Sequence, residues 1–203
     1  MAYGLATRER RAPEDSLEAT FLDVGHGTCV IIRLPANKIW LYDCGRLGNE
    51  SYSSAGIDHA LWSLGITQLD GIFLSHADSD HFNALPGLLK RFQVNCVITP
   101  PGMVDESESA LIPIQRSLNH YQIDVREAHH NIDLGKLDKF DQSDHLFPQT
   151  FQVLHPPIRR LNGSDNANSL VLHLCWRGRS MILPGDLEPP GTAVLVNLPR
   201  PNA

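Results

Sequence analysis

The sequence predicts an α+β sandwich, a fold in which helices and sheets form separate packed layers. Segments with strand character cluster at both ends of the chain, and segments with helical spacing lie between them. With 203 residues, of which 42% are hydrophobic, the chain can bury one substantial core. We therefore expect one domain over residues 17–203, preceded by a charged, proline-containing stretch, residues 1–16, with the composition of a flexible linker or tail.

The domain begins with three predicted strands. Residues 17–24, 28–34 and 38–43 are rich in apolar side chains, and short turns separate them. Strands joined by such short turns form an antiparallel meander. A helix is expected next, beginning at Asp58, which suits an N-cap, and ending before Gly65.

The middle of the chain alternates between strand and helix patterns. A strand over residues 71–74, a short helix over residues 84–92 and a strand over residues 96–99 give a β-loop-α-β order. Residues 106–121 have the spacing of an amphipathic helix, which Pro113 is expected to interrupt.

Strand patterns return near the end of the chain. The polar residues 122–147 have too little periodicity to predict an element. Residues 151–154 then read as a strand, and residues 169–175 and 179–183 as a hairpin that turns at residues 176–178.

Composition argues against several classes of protein. The 17 basic and 23 acidic residues leave a net charge of -6, unlike a protein that binds nucleic acid through a broad basic face, so any such contact would be local. No run approaches the roughly 18 apolar residues of a membrane helix, and we expect the chain as given to be soluble. The cysteines form no C-x-x-C pair, which argues against a zinc knuckle or a thioredoxin motif.

Residues 74–83, LSHADSDHFN, place two histidines and two aspartates directly after an apolar strand. Because side chains alternate faces in an extended segment, His76, Asp78 and Asp80 can converge from one side, and His81 is expected to point elsewhere. Because its side chains point in two directions, one loop could then serve two metal ions. Histidine nitrogen and aspartate oxygen are the donors expected for zinc, manganese or iron. The alternative is a solvated loop that caps the following helix.

Two more aspartates stand at the ends of apolar strands. Asp43 closes the third predicted strand, and Asp186 follows the second strand of the hairpin in the sequence Pro184-Gly185-Asp186. Together with the polar loop, three separate strand ends therefore carry acidic residues. Loops at strand ends commonly form the functional sites of layered folds.

The polar loop resembles the H-x-H-x-D-H signature of the metallo-β-lactamase fold superfamily, which appears here as His76-x-Asp78-x-Asp80-His81. The form with Asp78 looks like the metallo-hydrolase domain of ComEC-type competence proteins, which act in DNA uptake. Four further segments carry this resemblance: residues 21–27, 153–157, 168–172 and 184–186. The resemblance covers about residues 17–188 and implies a four-layer αββα sandwich.

The resemblance also implies a role for each polar residue of the site. A first divalent metal ion would be held by His76 and Asp78, a second by Asp80 and His81, and both would be bridged by Asp186. Of these residues, Asp80 and Asp186 would be catalytic. The metal would be zinc or manganese, in one or two ions. Because Asp78 replaces a neutral imidazole, it hardens the site and should favour manganese or magnesium.

Two further residues receive roles from the resemblance. Asp43 would support the loop rather than bind metal. His155 is the candidate for the remaining histidine of the first metal site. Its alternative is a histidine that is hydrogen-bonded at a strand end before two prolines.

The end of the sequence departs from the family pattern. Family members normally continue to a late histidine that completes the second metal site, whereas residues 187–203 contain no histidine. We therefore expect a domain truncated at its C-terminus, lacking the late part of the fold. Either the sequence is a fragment, or the second metal ion is weakly bound or absent.

The implied function is hydrolysis of phosphodiester bonds in single- or double-stranded DNA. The nuclease domain would be fused to or associated with a membrane channel domain and would lie outside the cytoplasm. A hydrolase of the same fold that acts on a small ester, phosphoester or lactam is one alternative. A degenerate, non-catalytic domain of a membrane assembly is another.

The remaining histidines have simpler interpretations. His26 lies between two glycines, in a turn expected near the ends of the first strands, so it could line the metal cleft; we expect it instead in an exposed turn. His129 and His130 adjoin a polar stretch and are expected at the surface. His173 alternates with leucines and is expected to face outward or to be hydrogen-bonded within a strand.

Overall fold

A computed structural model of the chain describes residues 16–48, 54–104, 109–132, 134 and 150–199, and every structural statement below refers to these residues. Residues 1–15 of the expected linker lie outside this part of the chain, so the linker and the domain boundaries stay predictions. No helix in the described part is long and apolar enough to cross a membrane.

In the described part of the chain, eight strands come before residue 150. They are β1 (Glu18–Phe21), β2 (Val30–Leu34), β3 (Lys38–Tyr42), β4 (Gln68–Leu69), β5 (Gly71–Phe73), β6 (Gln93–Val94), β7 (Cys96–Thr99) and β8 (Asp124–Glu127). Six of them form one sheet in the order β1-β2-β3-β5-β7-β8, and β4 pairs separately with β6. The antiparallel pairing of β1, β2 and β3 confirms the predicted meander. From β3 onward the sheet is parallel.

The strand β8 was not predicted because its sequence, DVRE, has no apolar run. It lies at the edge of the sheet and pairs only with β7 among the described strands, so its side chains are half-buried or exposed. His129 and His130 follow it and are half-buried rather than at the surface.

Among the residues described above, five α-helices connect or flank the strands: α1 (Ala55–Ser63), α2 (Ser79–Phe82), α3 (Leu85–Arg91), α4 (Ile112–His120) and α5 (Gly191–Val196). The prediction that Asp58 caps α1 is wrong. Asp58 lies inside the helix, buried, with its Oδ2 atom 3.2 Å from Nη1 of Arg91. Pro113 lies in the first turn of α4, where its missing N–H is tolerated, so it begins the helix instead of interrupting it.

A second, smaller sheet contains β9 (Phe151–His155), β10 (Val171–Trp176) and β11 (Arg179–Leu183) in the order β11-β10-β9. All its pairs are antiparallel, and the predicted hairpin between β10 and β11 is confirmed. The turn has positive φ angles of 51° at Arg177 and 73° at Gly178, as two-residue hairpin turns require.

Two clusters of buried hydrophobic side chains lie between the layers and pack them together. On one face of the large sheet, Leu41 of β3 shares a cluster with Leu88 of α3. On the other face, the rings of Trp40 and Phe73 lie 5.8 and 5.4 Å from the ring of Phe151 in the small sheet. At the far end of the described chain, α5 contacts β9. This layering is that of the expected α+β sandwich with αββα order.

Gly71 leaves room for a core tryptophan, so its replacement should destabilise the fold. A Cβ atom on Gly71 would lie 2.2 Å from Cζ3 of Trp40, whose side chain is buried. We expect Gly71→Ala to lower the free energy of unfolding by about 1–3 kcal/mol, measured by urea denaturation. A Cβ atom on Gly56 in α1 would have no atom within 4 Å, so Gly56→Ala should raise stability by about 0.5–1 kcal/mol. Equal stability of the two variants would contradict this account of the core.

Candidate metal centre

Three strand ends bring polar residues together where the two sheets meet. Asp43 follows β3, the polar loop with Ser75 follows β5, and Asp186 follows β11. Backbone hydrogen bonds join the first two of these segments to each other and the polar loop to the residue that precedes β10. The N–H of Asp43 donates to the carbonyl of Phe73 at 2.8 Å, and the N–H of Leu170 donates to the carbonyl of Ser75 at 2.7 Å. The site is therefore built from the backbone of both sheets.

Asp43 is the buried centre of the hydrogen bonds in the loop. Its Oδ1 accepts the backbone N–H of Ser75 at 2.7 Å, and its Oδ2 accepts the Ser75 hydroxyl at 2.8 Å. The same Oδ2 lies 2.8 Å from Nδ1 of His81. Its backbone φ of 57° is a left-handed conformation that aspartate tolerates better than most residues. These are the contacts that a residue supporting the loop would make.

The loop does not continue as an extended segment. Asp78 is the last extended residue, and α2 begins at Ser79. The alternation of side chains therefore stops, and the ring of His81 turns back to lie 4.2 Å from the ring of His76, measured between centroids. The prediction that His81 points elsewhere is wrong for this reason.

Two pairs of atoms at the site have the spacing of ligands on one metal ion. Nε2 of His76 lies 3.3 Å from Oδ2 of Asp78, and Nε2 of His81 lies 3.6 Å from Oδ1 of Asp186. Two donors on a tetrahedral zinc ion are about 3.3–3.6 Å apart, because each bond is about 2.0–2.2 Å long. Hydrogen-bonded nitrogen and oxygen atoms are closer, at about 2.9 Å.

Five of the six predicted ligands lie in one place. Donor atoms of His76, His81 and Asp186 all lie within 4.8 Å of one another. Asp80 joins them with its Oδ2 atom 3.9 Å from Nε2 of His81, and Asp78 joins them through His76. The part that each would play in holding an ion stays a prediction.

His155, the sixth predicted ligand, is not in the group of three. It is fully buried at the end of β9, and its Nδ1 lies 2.9 Å from the carbonyl oxygen of Ser169, so Nδ1 carries the proton and donates. Its Nε2 is buried and has no hydrogen-bond partner in the described part of the chain. Ser169 precedes Leu170, which is bonded to the loop of His76, so His155 is anchored beside that loop.

Burial lowers the pKa of His76, and the nearby His81 lowers it further. Burial also lowers the pKa of His155, against the opposing effect of its bond to a backbone carbonyl. Both imidazoles are therefore stabilised in the neutral form, which is the form that binds metal.

The pKa of His81 changes in the opposite direction. Burial by itself would lower this pKa, but the hydrogen bond and charge of Asp43, together with the charges of Asp186 and Asp80, raise it. The negative potential that holds a proton on His81 would also attract a metal cation.

The donor set fits a divalent metal ion. Nε2 of His76 is buried and, like Nε2 of His155, has no hydrogen-bond partner within the described residues. A buried acceptor without a partner is costly, and a metal ion bound to Nε2 of His76 would remove that cost there. The carboxylates supply the hard oxygen donors that accompany histidine in zinc and manganese sites.

The structure also places His26 and His173. The side chain of His26 is 74% exposed, as a turn residue should be, and its Nε2 lies 3.4 Å from Oδ2 of Asp80, as a residue beside the metal cleft would. Gly27 was the available signal, because a Cβ there would lie 2.5 Å from the carbonyl oxygen of Asp80. His173 is buried and its Nε2 has no hydrogen-bond partner in the described part, so it is neither solvent-facing nor hydrogen-bonded there.

Comparison with known proteins gives a family match over most of the chain. The family model described as the metallo-beta-lactamase superfamily matches residues 22–202. A crystal structure described as a putative metallo-beta-lactamase from Thermotoga maritima aligns with a TM-score of 0.50 at 12% identity, covering 84% of this chain and 74% of that one. At that identity the likeness shows the fold, and it agrees with the layers described above.

Three curated relatives are similar in sequence. ComE operon protein 3 of Bacillus subtilis (strain 168) is 31% identical over 196 residues, which is 89% of this chain and 23% of that protein. Competence protein ComA of Neisseria gonorrhoeae is 26% identical, with 97% of this chain and 23% of that protein covered. Ribonuclease Z of Picrophilus torridus is 30% identical over 53% of this chain and 34% of its own length. The chain thus spans about a quarter of the length of the two competence-operon relatives.

Asp43 should control metal affinity without binding metal. We expect Asp43→Asn to weaken the binding of zinc or manganese about 10–100-fold, because an amide in place of Oδ2 cannot accept the proton of His81. Asparagine tolerates the left-handed backbone at this position, so the change tests the side chain alone. Isothermal titration calorimetry measures the affinity, and Asp23→Asn at an exposed position is the matched control. Metal affinity equal to that of the control would rule out this role.

Proposed function

This chain belongs to the metallo-beta-lactamase superfamily, and from that premise we propose that it is a metal-dependent phosphodiesterase, a nuclease that acts on DNA. One observation carries the proposal. Two histidine rings and the carboxylate of Asp186 are gathered with the spacing of metal ligands, at the junction of two sheets. Nothing about a solvated loop that merely caps a helix requires His76 and His81 to be buried together.

We propose that the site holds one or two divalent ions, zinc or manganese. The first would be held by His76 and Asp78 with His155, the second by Asp80 and His81, and Asp186 would lie between them. When bound, such ions activate water as a nucleophile at neutral pH and stabilise negative charge on a phosphoryl oxygen.

The side chains of the chain itself would prepare this chemistry. The Asp43 carboxylate faces Nδ1 of His81 at 2.8 Å and keeps the proton there, so that the lone pair of Nε2 faces the site. The hydroxyl of Ser75 lies 2.8 Å from Nδ1 of His76 and can fix that ring in the same way. Asp80 and Asp186, both at least partly exposed, would face the substrate and carry the catalytic role.

The names of two relatives support a nucleic-acid substrate. One is a competence protein and another is a ribonuclease, and both are similar to this chain over more than half its length. A net charge of -6 offers little general attraction to DNA, so recognition would depend on metal ions at the site. We favour DNA, single- or double-stranded, because the two competence-operon relatives match the larger share of the chain.

We also propose a setting for this activity. The competence-operon relatives extend well beyond the matched region, since this chain corresponds to 23% of each. The resemblance to ComEC-type proteins supports fusion to, or association with, a membrane channel domain. The hydrolase domain would then lie outside the cytoplasm, where it could degrade a DNA strand that is not imported.

The direct test is cleavage of labelled single- and double-stranded DNA with added manganese. We expect EDTA to abolish cleavage. We expect Asp80→Ala and His81→Ala each to reduce cleavage by at least about 100-fold, because even residues that only orient a metal ligand cause losses of up to about 100-fold when replaced. Asp23→Asn, at an exposed position, keeps an oxygen that can accept the N–H of Gly25 and should cleave like the wild type.

Two results would contradict the proposal. If DNA stays intact while a small chromogenic ester, phosphoester or lactam is hydrolysed, the chain is a hydrolase with another substrate. If the wild type neither binds metal nor hydrolyses any of these compounds, it is a non-catalytic member of the fold.

A further inference from the structure

We propose that His26 is a ligand of the metal ion held by Asp80, although it lies outside the polar loop. This inference rests on the proposed metal-dependent hydrolase. Nε2 of His26 lies 3.4 Å from Oδ2 of Asp80. That distance exceeds the about 2.7–2.9 Å of a charge-assisted hydrogen bond and falls within the about 3.3–3.6 Å between two donors on a tetrahedral ion.

Backbone hydrogen bonds hold the turn of His26 to the segment of Asp80 and to the segment that follows β3. The N–H of Thr28 donates to the carbonyl of Asp80 at 3.2 Å, and the N–H of Leu47 donates to the carbonyl of His26 at 2.6 Å. Gly27, with a φ of 134°, permits this approach, because a Cβ there would meet the Asp80 carbonyl oxygen at 2.5 Å. The position of His26 beside Asp80 is thus set by the main chain.

One carboxylate oxygen serves two imidazoles. Oδ2 of Asp80 lies 3.4 Å from Nε2 of His26 and 3.9 Å from Nε2 of His81. Nε2 of His81 in turn lies 3.6 Å from Oδ1 of Asp186. These four side chains offer two imidazole nitrogens and two carboxylates, a donor set that suits zinc or manganese.

His26 would meet the ion from the solvent side of the site. Its side chain is 74% exposed, whereas that of His81 is 2% exposed, so the ring of His26 is free to rotate toward an ion at the rim. The competing interpretation is an ion pair between His26 and Asp80 that leaves metal binding unchanged.

The test is metal binding by the whole chain. Zinc and manganese affinity and stoichiometry are measured by calorimetry and elemental analysis for the wild type, His26→Ala, Asp80→Ala and His59→Ala. His26 has no positive φ, and its carbonyl bond to Leu47 survives the change, so alanine removes only the imidazole. His59 is another exposed histidine, on α1, and serves as the matched control.

We expect His26→Ala to weaken the binding of one ion by at least about tenfold. Replacing residues that only orient a metal ligand already costs about tenfold or more in metal affinity. His59→Ala should bind like the wild type, and millimolar imidazole should restore part of the loss in His26→Ala. In long-range proton–nitrogen NMR spectra, the Nε2 resonance that is absent from His26→Ala should shift when zinc is added to the wild type.

The outcomes separate this inference from the proposed function. If Asp80→Ala loses metal while His26→Ala keeps wild-type affinity and the His26 Nε2 resonance does not move, His26 is not a ligand and the metallo-hydrolase proposal stands. If the wild type takes up no metal, both proposals fail.

Discussion

The buried carboxylate of Asp43 is the interaction on which the rest of the site depends. It accepts the backbone N–H and the hydroxyl of Ser75 at one end of the polar loop and faces Nδ1 of His81 at the other. A buried carboxylate without partners is costly, so losing these contacts would be unfavourable, and the loop is held in the shape that keeps them. The ring of His81 is thereby fixed, with Nε2 turned toward Asp80 and Asp186.

This arrangement concentrates negative charge where the two sheets meet. The carboxylates of Asp78, Asp80 and Asp186 each lie within ion-pair distance of a histidine. Burial opposes protonation of His76, so its imidazole does not offset the mutual repulsion of the carboxylates. A divalent cation bound among these groups would offset that repulsion and would accept the lone pair of Nε2 of His76, which has no hydrogen-bond partner among the described residues.

The sequence predicted what depends on local patterns. The meander and the hairpin follow from apolar alternation, and the position of the polar loop follows from polar residues directly after a strand. Predictions from the sequence were wrong or incomplete where contacts between distant parts of the chain determine the local structure. Asp58 pairs with Arg91 instead of capping a helix, and β8 is a polar edge strand held by pairing with β7. The approach of His26 to Asp80 depends on hydrogen bonds between segments far apart in the chain, and residue spacing in the sequence does not predict such bonds.

The central claim is that the polar loop and Asp186 hold metal. Anomalous X-ray diffraction at the absorption edge of zinc, from crystals grown with that metal, tests it most directly. If these residues hold metal, anomalous density lies about 2.0–2.2 Å from Nε2 of His81 or of His76 and from a neighbouring carboxylate oxygen. Anomalous density confined to histidines outside the site, with the polar loop unchanged, would show that they do not.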